Sequence, residues 1–161
     1  MNTDTMELQT VETLEIRKEV QIAAPIEIAW QAMLDELGPE AQMPDGRTLS
    51  MKIEPWPGGR WFRDLGNNSG HLWGHVQVIK PPALLEVCGP MAMSYPAANH
   101  MQWRLKADGG GTRLTLLHRG MGTIPPEHRD GMKEGWGKWI DAIRGLAEQR
   151  NHATTRNSHR R

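Results

Sequence analysis

The sequence predicts an α+β protein: an antiparallel sheet of about six to seven strands, curved, with a long C-terminal helix laid across it. Three observations lead there. Short runs of alternating apolar and polar residues recur between residues 14 and 119. Clusters of Gly, Pro and Asn separate those runs, as turns between strands require. The apolar period then changes from two to about 3.6 after Pro125-Pro126 and stays helical to about Gln149, longer than in any other element.

Each element follows from its residues. Residues 14–22 alternate, with Ile16, Val20 and Ile22 on one face of a first strand. Ala24-Pro25 stops it, and proline is tolerated in a first helical turn. Ile26, Ala29, Trp30, Met33 and Leu37 then follow at helical spacing until Gly38-Pro39, which makes residues 25–37 a short amphipathic helix. The fold leaves room for one or two such short helices after the first strand. Leu49, Met51 and Ile53 alternate with Ser50, Lys52 and Glu54, and Pro55-Trp56-Pro57-Gly58-Gly59-Arg60-Trp61 is the hairpin turn that follows. Strands over 60–65 and 71–80 flank Asn67-Asn68-Ser69-Gly70. A shorter strand covers 84–88 between Pro81-Pro82 and Gly89-Pro90. Residues 99–106 and 112–119 form a hairpin about Asp108-Gly109-Gly110-Gly111. In the last helix Met132, Trp136, Trp139, Ile140, Ile143 and Leu146 form one stripe.

A chain of 161 residues suits one domain. Its boundaries are read as a flexible N-terminal segment over 1–13, the folded domain over 14–149 and a disordered basic tail over 150–161. Nineteen basic residues balance nineteen acidic ones, so no global field attracts nucleic acid or an anionic membrane. The single cysteine, Cys88, excludes an intrachain disulfide and is expected as a small buried hydrophobe. The start of the chain lacks signal-peptide character, and no run of about 18 apolar residues exists to insert in a membrane, so a cytoplasmic location is expected. Composition is skewed toward seven Trp and ten Met against one Tyr and one Phe, side chains that suit an adaptable cavity or a plain core equally.

Several short stretches, in this order, resemble a known family. They are Ala24-Pro25-Ile26-Glu27-Ile28-Ala29-Trp30, Gly58-Gly59-Arg60-Trp61, Gly74-His75-Val76 with Ile79-Lys80-Pro81-Pro82, Thr112 to Gly120, and Gly135-Trp136. The chain from Leu14 to about Gln149 is similar to the START-like (SRPBCC) superfamily, in the branch related to the activator of heat-shock protein 90 ATPase. The resemblance implies a helix-grip fold, with the long C-terminal helix closing a hydrophobic cavity over the sheet. It also implies binding of lipids, sterols, polyketides or other apolar ligands, and in some members cyclisation or dehydration of polyketides. Fold does not settle which of these applies.

The candidate ligand-binding residues are Trp61, Arg63, Met101, Trp103, His118, Met132 and Trp136. Family resemblance turns Trp61 inward, and strand alternation puts Arg63 on the same face; Trp56 is read as a rim residue. Met101, Trp103 and Leu105 share a buried face whose opposite side carries His100, Gln102, Arg104 and Lys106, although burial does not distinguish core from cavity wall. His118 points inward by alternation with Arg119 and is either a hydrogen-bonded core residue or a catalyst. Met132 and Trp136 lie one helical turn apart beside Gly131, Gly135 and Gly137. Those glycines mean either close backbone packing or a helix that can bend. The faces of strand 71–80 are left open, because Leu72, Val76 and Val78 oppose Trp73, His75 and Ile79 almost evenly.

No cofactor and no metal site is expected. His71 and His75 are four apart, which on a strand separates them by roughly 13 Å, beyond chelation. Gly109-Gly110-Gly111 joins two strands and is not a phosphate loop, no nucleophile elbow is present, and no catalytic group is assigned. The leading expectation is a non-catalytic carrier or sensor of a small hydrophobic or amphipathic molecule, with Arg63 and His118 orienting its polar group. An aromatase- or cyclase-like enzyme using His118 is the alternative. A chaperone-associated interaction module ranks third, because those activators pair this domain with a second one for which the chain has no room. The expected partner is therefore a small molecule, with a homodimer left open.

Overall fold

Residues 10–91 and 93–160 are described in the computed structural model of the chain. Nine elements follow one another: β1 (Glu12–Ile22), α1 (Ile26–Leu37), β2 (Met51–Ile53), β3 (Arg60–Gly66), β4 (Ser69–Lys80), β5 (Leu84–Gly89), β6 (Ala97–Asp108), β7 (Gly111–Gly122) and α2 (Pro126–Ser158). The strands form one sheet in the order β1-β7-β6-β5-β4-β3-β2, with every neighbouring pair antiparallel. The expected α+β helix-grip arrangement is therefore present, with one short helix after the first strand.

Local chemistry sets the turns. Gly109 and Gly110 both take positive φ, 57° and 82°, as a two-residue turn between twisted strands requires, and they close the β6–β7 hairpin at Asp108↔Gly111. β1 returns to the sheet by pairing β7 along its whole length, from Glu12↔Gly122 to Ile22↔Thr112. Inner-face side chains are Leu14 and Ile16 of β1, Leu85 and Val87 of β5, Met101, Trp103 and Leu105 of β6, and Leu114, Leu116 and His118 of β7, all buried. From α2, Trp136, Ile140, Ile143 and Ala147 face them.

Two irregularities in β4 explain why its faces could not be read from alternation. Trp61 pairs Gly74 but Phe62 pairs Leu72, so Trp73 is an extra residue; Val76 pairs Val87 but Val78 pairs Glu86, so Gln77 is another. Each such bulge reverses the parity of the side chains beyond it. As a result Trp73, Val76 and Ile79 all pack on the core. At Gly74 a Cβ would sit 2.7 Å from the Cys88 carbonyl oxygen and from Val87 Cγ1, so this strand crossing tolerates only glycine.

Two expectations change. Cys88 is exposed rather than buried, because it lies on the outer face of β5 next to inward Val87. The terminal helix does not end near Gln149: residues 150–158 of the expected basic tail continue α2 to Ser158. Once a helix is nucleated each further residue adds one hydrogen bond, so no apolar face is needed to prolong it. Arg150 bonds Asp35 at 2.7 Å and Asn151 donates to the Ala23 carbonyl, which holds this stretch beside α1. Of the segment expected to be flexible at the N-terminus, residues 1–9 lie outside the described residues, and Glu12 and Thr13 belong to β1. Among the described residues no helix is long and apolar enough to cross a membrane, and no three His, Cys, Asp or Glu cluster as a metal site.

Candidate ligand-binding site

α2 runs with its backbone closest to α1 and β1, leaving a gap over the middle strands that large side chains must span. Five of the seven tryptophans fill it: Trp61 on β3, Trp73 on the β4 bulge, Trp103 on β6, and Trp136 and Trp139 on α2. Their ring centroids are 5.0 Å apart for Trp61–Trp73, 5.5 Å for Trp73–Trp139, 5.4 Å for Trp136–Trp139 and 6.1 Å for Trp103–Trp136. The Trp136–Trp139 pair is tilted at 31°, and the other three are edge-to-face, a favourable geometry for aromatic quadrupoles. In this state Trp136 packs on both Trp61 and Trp103, and Met101 is buried in the same core, so these residues fill the interior instead of walling an open hollow.

The polar tips of these rings do structural work. Trp61 Nε1 donates to the Leu37 carbonyl at 2.7 Å, and Trp139 Nε1 donates to the Glu36 carbonyl at 2.8 Å. Those carbonyls belong to the last turn of α1, which has no intrahelical donors for them. The indoles thus cap α1 and tie β3 and α2 to it. Trp136 Nε1 donates to His118 Nδ1 at 3.0 Å, and His118 Nε2 lies 2.7 Å from Asn99 Oδ1. Since Nδ1 accepts, the proton sits on Nε2 and donates to Asn99. Asn99 in turn donates to the Gly89 carbonyl. Burial in this apolar setting lowers the His118 pKa from its ordinary value to about 4, so the ring is neutral near pH 7 with both nitrogens committed.

Arg63 stands elsewhere. Its Nε donates to the Leu49 carbonyl at 3.1 Å and its Nη2 contacts Met43 Sδ, at the β2 edge of the sheet. Three strands separate β3 from β7, so Arg63 and His118 do not converge on one ligand group as the sequence reading expected. Trp56, at 54% exposure, stays at the rim of its turn. Met132 is half-buried, at the mouth of a concavity of about 400 Å³ shared with Met91, Met93, Tyr95 and His128.

The larger concavity, about 720 Å³, lies between the α1–β2 connection and α2. Met43, Pro44, Leu49, Trp139, Ala142 and Leu146 give it an apolar floor. Glu36, Glu40 and Lys138 stand among its polar lining. Desolvation, reinforced by Glu40, raises the Glu36 pKa above the usual carboxylate value. Sequence reasoning missed this groove, since residues 38–48 carry no periodicity. It also missed Trp73, hidden by the bulge, and Asn99, whose role depends on a partner 19 residues away. Trp139 was legible as part of the helical stripe.

The glycines of α2 do not serve close packing. A Cβ at Gly131 or Gly135 would meet nothing within 4 Å, and at Gly137 only ordinary contact with Lys18. Close backbone approach, one of the two explanations the sequence allowed, is therefore excluded at Gly131 and Gly135.

A family described as activator of Hsp90 ATPase homolog 1-like protein matches residues 23–148. The chain belongs to that family. Solved structures share the helix-grip fold of this family member at low identity. An uncharacterized protein from Rhizobium leguminosarum is 17% identical, with 89% of this chain and 99% of that one covered and a TM-score of 0.67. Ara h 8.0201 is 14% identical over 86% of this chain and 98% of its own, with a TM-score of 0.59. DynU16, a protein of the dynemicin biosynthetic locus, is 19% identical over 85% of this chain and 48% of its own, with a TM-score of 0.61. No curated protein is similar enough to count as a match.

Proposed function

We propose that this protein binds a small hydrophobic or amphipathic molecule without transforming it, using the groove between the α1–β2 connection and α2 as the approach and the indole layer as the destination. The observation that carries the reading is the meeting of the two at Trp139. This ring lines the concavity of about 720 Å³ and packs on Trp61, Trp73 and Trp136. The N-terminal half of α2 is the part that yields. Gly131 and Gly135 weaken that half by about 1 kcal/mol each relative to alanine, with no packing gained in return. Lifting it breaks the Trp136–His118 and Trp139–Glu36 hydrogen bonds, at about 1 kcal/mol net for each. Removing apolar ligand surface from water returns roughly 2.5 kcal/mol for every 100 Å² buried, and the guest must also re-cover the indole faces that lifting α2 parts from Trp61, Trp73 and Trp103.

In the closed state both nitrogens of His118 are engaged, and its pKa, lowered to about 4 by burial, lies well below the range suited to acid–base work near neutral pH, which favours binding over catalysis. The dynemicin-locus neighbour is in keeping with a small-molecule role, although it speaks only for itself.

Ala142 is exposed on the groove floor, so Ala142→Glu places bulk and charge in the approach at little expense to folding. Titration of the wild-type protein with a panel of long-chain fatty acids and polycyclic aromatics, followed by tryptophan emission, should give saturable one-to-one binding for some member. Ala142→Glu should weaken it at least about tenfold. Absence of saturable binding to every member, together with native mass spectra of protein from cells that carry no bound small molecule, overturns the reading.

A further inference from the structure

The indole layer holds more donors than acceptors. Five indole N–H groups point into or border it, and three have acceptors: the Leu37 carbonyl for Trp61, the Glu36 carbonyl for Trp139 and His118 Nδ1 for Trp136. Trp73 Nε1 and Trp103 Nε1 are buried with no hydrogen-bond partner among the described residues. Trp103 is wholly buried and Trp73 partly so. The remaining buried orphan, Arg129 Nε, belongs to a guanidinium already paired with Glu12.

Buried donors without acceptors are rare and unfavourable. The rings around Trp73 and Trp103 offer at most weak N–H···π contacts, which fall well short of a bond to oxygen. The acceptors of the layer described above are each engaged by another donor. His118 accepts through its only free lone pair, because its other nitrogen carries the proton. The interior thus has two spare donors, at Trp73 and Trp103, and a guest that brings an acceptor would satisfy one of them.

Charge narrows the choice. A carboxylate would enter a layer whose cations are engaged elsewhere, since Arg63 is held at Leu49 and Met43, and Lys138 lines the outer groove. Desolvating an unpaired anion there is far more unfavourable than desolvating a neutral carbonyl. Shape narrows it further, because the neighbours are flat rings at centroid spacings of 5.0 to 6.4 Å, among which a planar molecule stacks with least rearrangement. Resting on the binding reading above, we propose that the ligand is a planar, largely apolar molecule with a neutral ketone-type carbonyl, whose oxygen accepts a hydrogen bond from Trp103 Nε1, or from Trp73 Nε1 when α2 lifts.

The pair fluorene and 9-fluorenone tests this, because they differ by one carbonyl. In an inert apolar interior the hydrocarbon binds better, since the ketone must shed water from its oxygen. Binding is measured by equilibrium dialysis with chromatographic quantification. Wild type is expected to hold 9-fluorenone about tenfold more tightly than fluorene. Fluorene-9-carboxylate should bind most weakly of the three. Trp103→Phe keeps an aromatic ring and removes the N–H, so it should abolish the ketone preference, read as the ratio of 9-fluorenone to fluorene affinity within the same variant. Trp73→Phe provides the same comparison at the second donor. The carbonyl stretch of bound 9-fluorenone, read by infrared difference spectroscopy, should lie at lower frequency in wild type than in the variant that loses the preference. If fluorene binds as tightly as the ketone, or the ketone preference survives in both variants, or the carboxylate binds best, the carbonyl inference fails while the binding reading stands. If none of the three binds, the carbonyl inference fails, and the binding reading is decided separately by the wider panel and the native mass spectra.

Discussion

A neutral, buried His118 makes the stability of this fold depend on pH with a definite sign. The perturbation is acidification from pH 7 to pH 4, compared between wild type and His118→Gln, which carries no charge anywhere in that range. In the unfolded chain His118 takes a proton near its ordinary value of 6.5; in the folded protein burial holds that event down to about 4. Between those values the unfolded state binds a proton that the folded state refuses, so stability falls as the pH falls. Below about pH 4 both states are protonated and the loss levels off. At roughly 1.4 kcal/mol for each factor of ten, the interval corresponds to about 3 kcal/mol. The structural cause is specific. A proton on Nδ1 turns the acceptor of the Trp136 N–H into a donor, and the two N–H groups then confront each other in a buried site. Carboxylates such as Glu54, Asp64 and Glu86, whose pKa values are held low by Arg60, Lys52 and Gln102 respectively, also lose stabilisation as pH falls. They do so equally in both proteins, so the difference between the two curves isolates His118. Urea denaturation at half-unit pH steps should show wild type losing about 3 kcal/mol more than His118→Gln between pH 7 and pH 4. Parallel curves, or an imidazole proton resonance titrating near 6.5 in the folded protein, would refute the buried relay and the argument against acid–base catalysis built on it.

Other outcomes follow from single observations. Gly131→Ala and Gly135→Ala should each raise stability by about 1 kcal/mol, because the added methyl meets nothing, and should slow probe association by stiffening the lid. Gly145→Ala, also in open space, should stabilise similarly; association rates in the Gly131 and Gly135 variants equal to that of wild type would argue against a yielding N-terminal half. Gly59→Ala should destabilise by about 2 kcal/mol or more, since its Cβ would collide with the Glu54 and Trp56 carbonyl oxygens; a melting temperature unchanged from wild type would contradict the turn geometry. Trp56→Ala, on an exposed ring, should alter stability by less than about 0.5 kcal/mol in the same assay, whereas Trp61→Ala should lower it by about 3 kcal/mol or more.

Much of this could be read from residue order because strands and helices announce themselves through local spacing. The alternation of Met101, Trp103 and Leu105 against His100, Gln102 and Arg104 gave the buried face of β6, and that of Leu114, Leu116 and His118 gave β7. The stripe through Trp136, Ile140 and Ile143 gave the inner face of α2. Turn residues at 58–59 and 109–110 placed two hairpins, because those backbone angles or close approaches exclude other side chains. The inward turn of His118 was legible, but whether it serves chemistry or packing was not.

Periodicity established the element order, the curved sheet under a long helix and the burial of Trp103, His118 and Trp136, since each depends on neighbours one to four residues apart, whereas the inward turn of Trp61 rested on family resemblance. The state of the interior depended on contacts across the chain. Whether the indoles leave a hollow or fill it is a matter of how far α2 stands from β4 and β6, and no spacing within either element encodes that distance. Extra residues at Trp73 and Gln77 shifted the facing of β4 without changing its composition. His118 became a committed neutral ring because Asn99 and Trp136 meet it from a neighbouring strand and an opposing helix. Hydrogen bonds of that kind join residues far apart in the chain, so their geometry exists only after the packing that creates it.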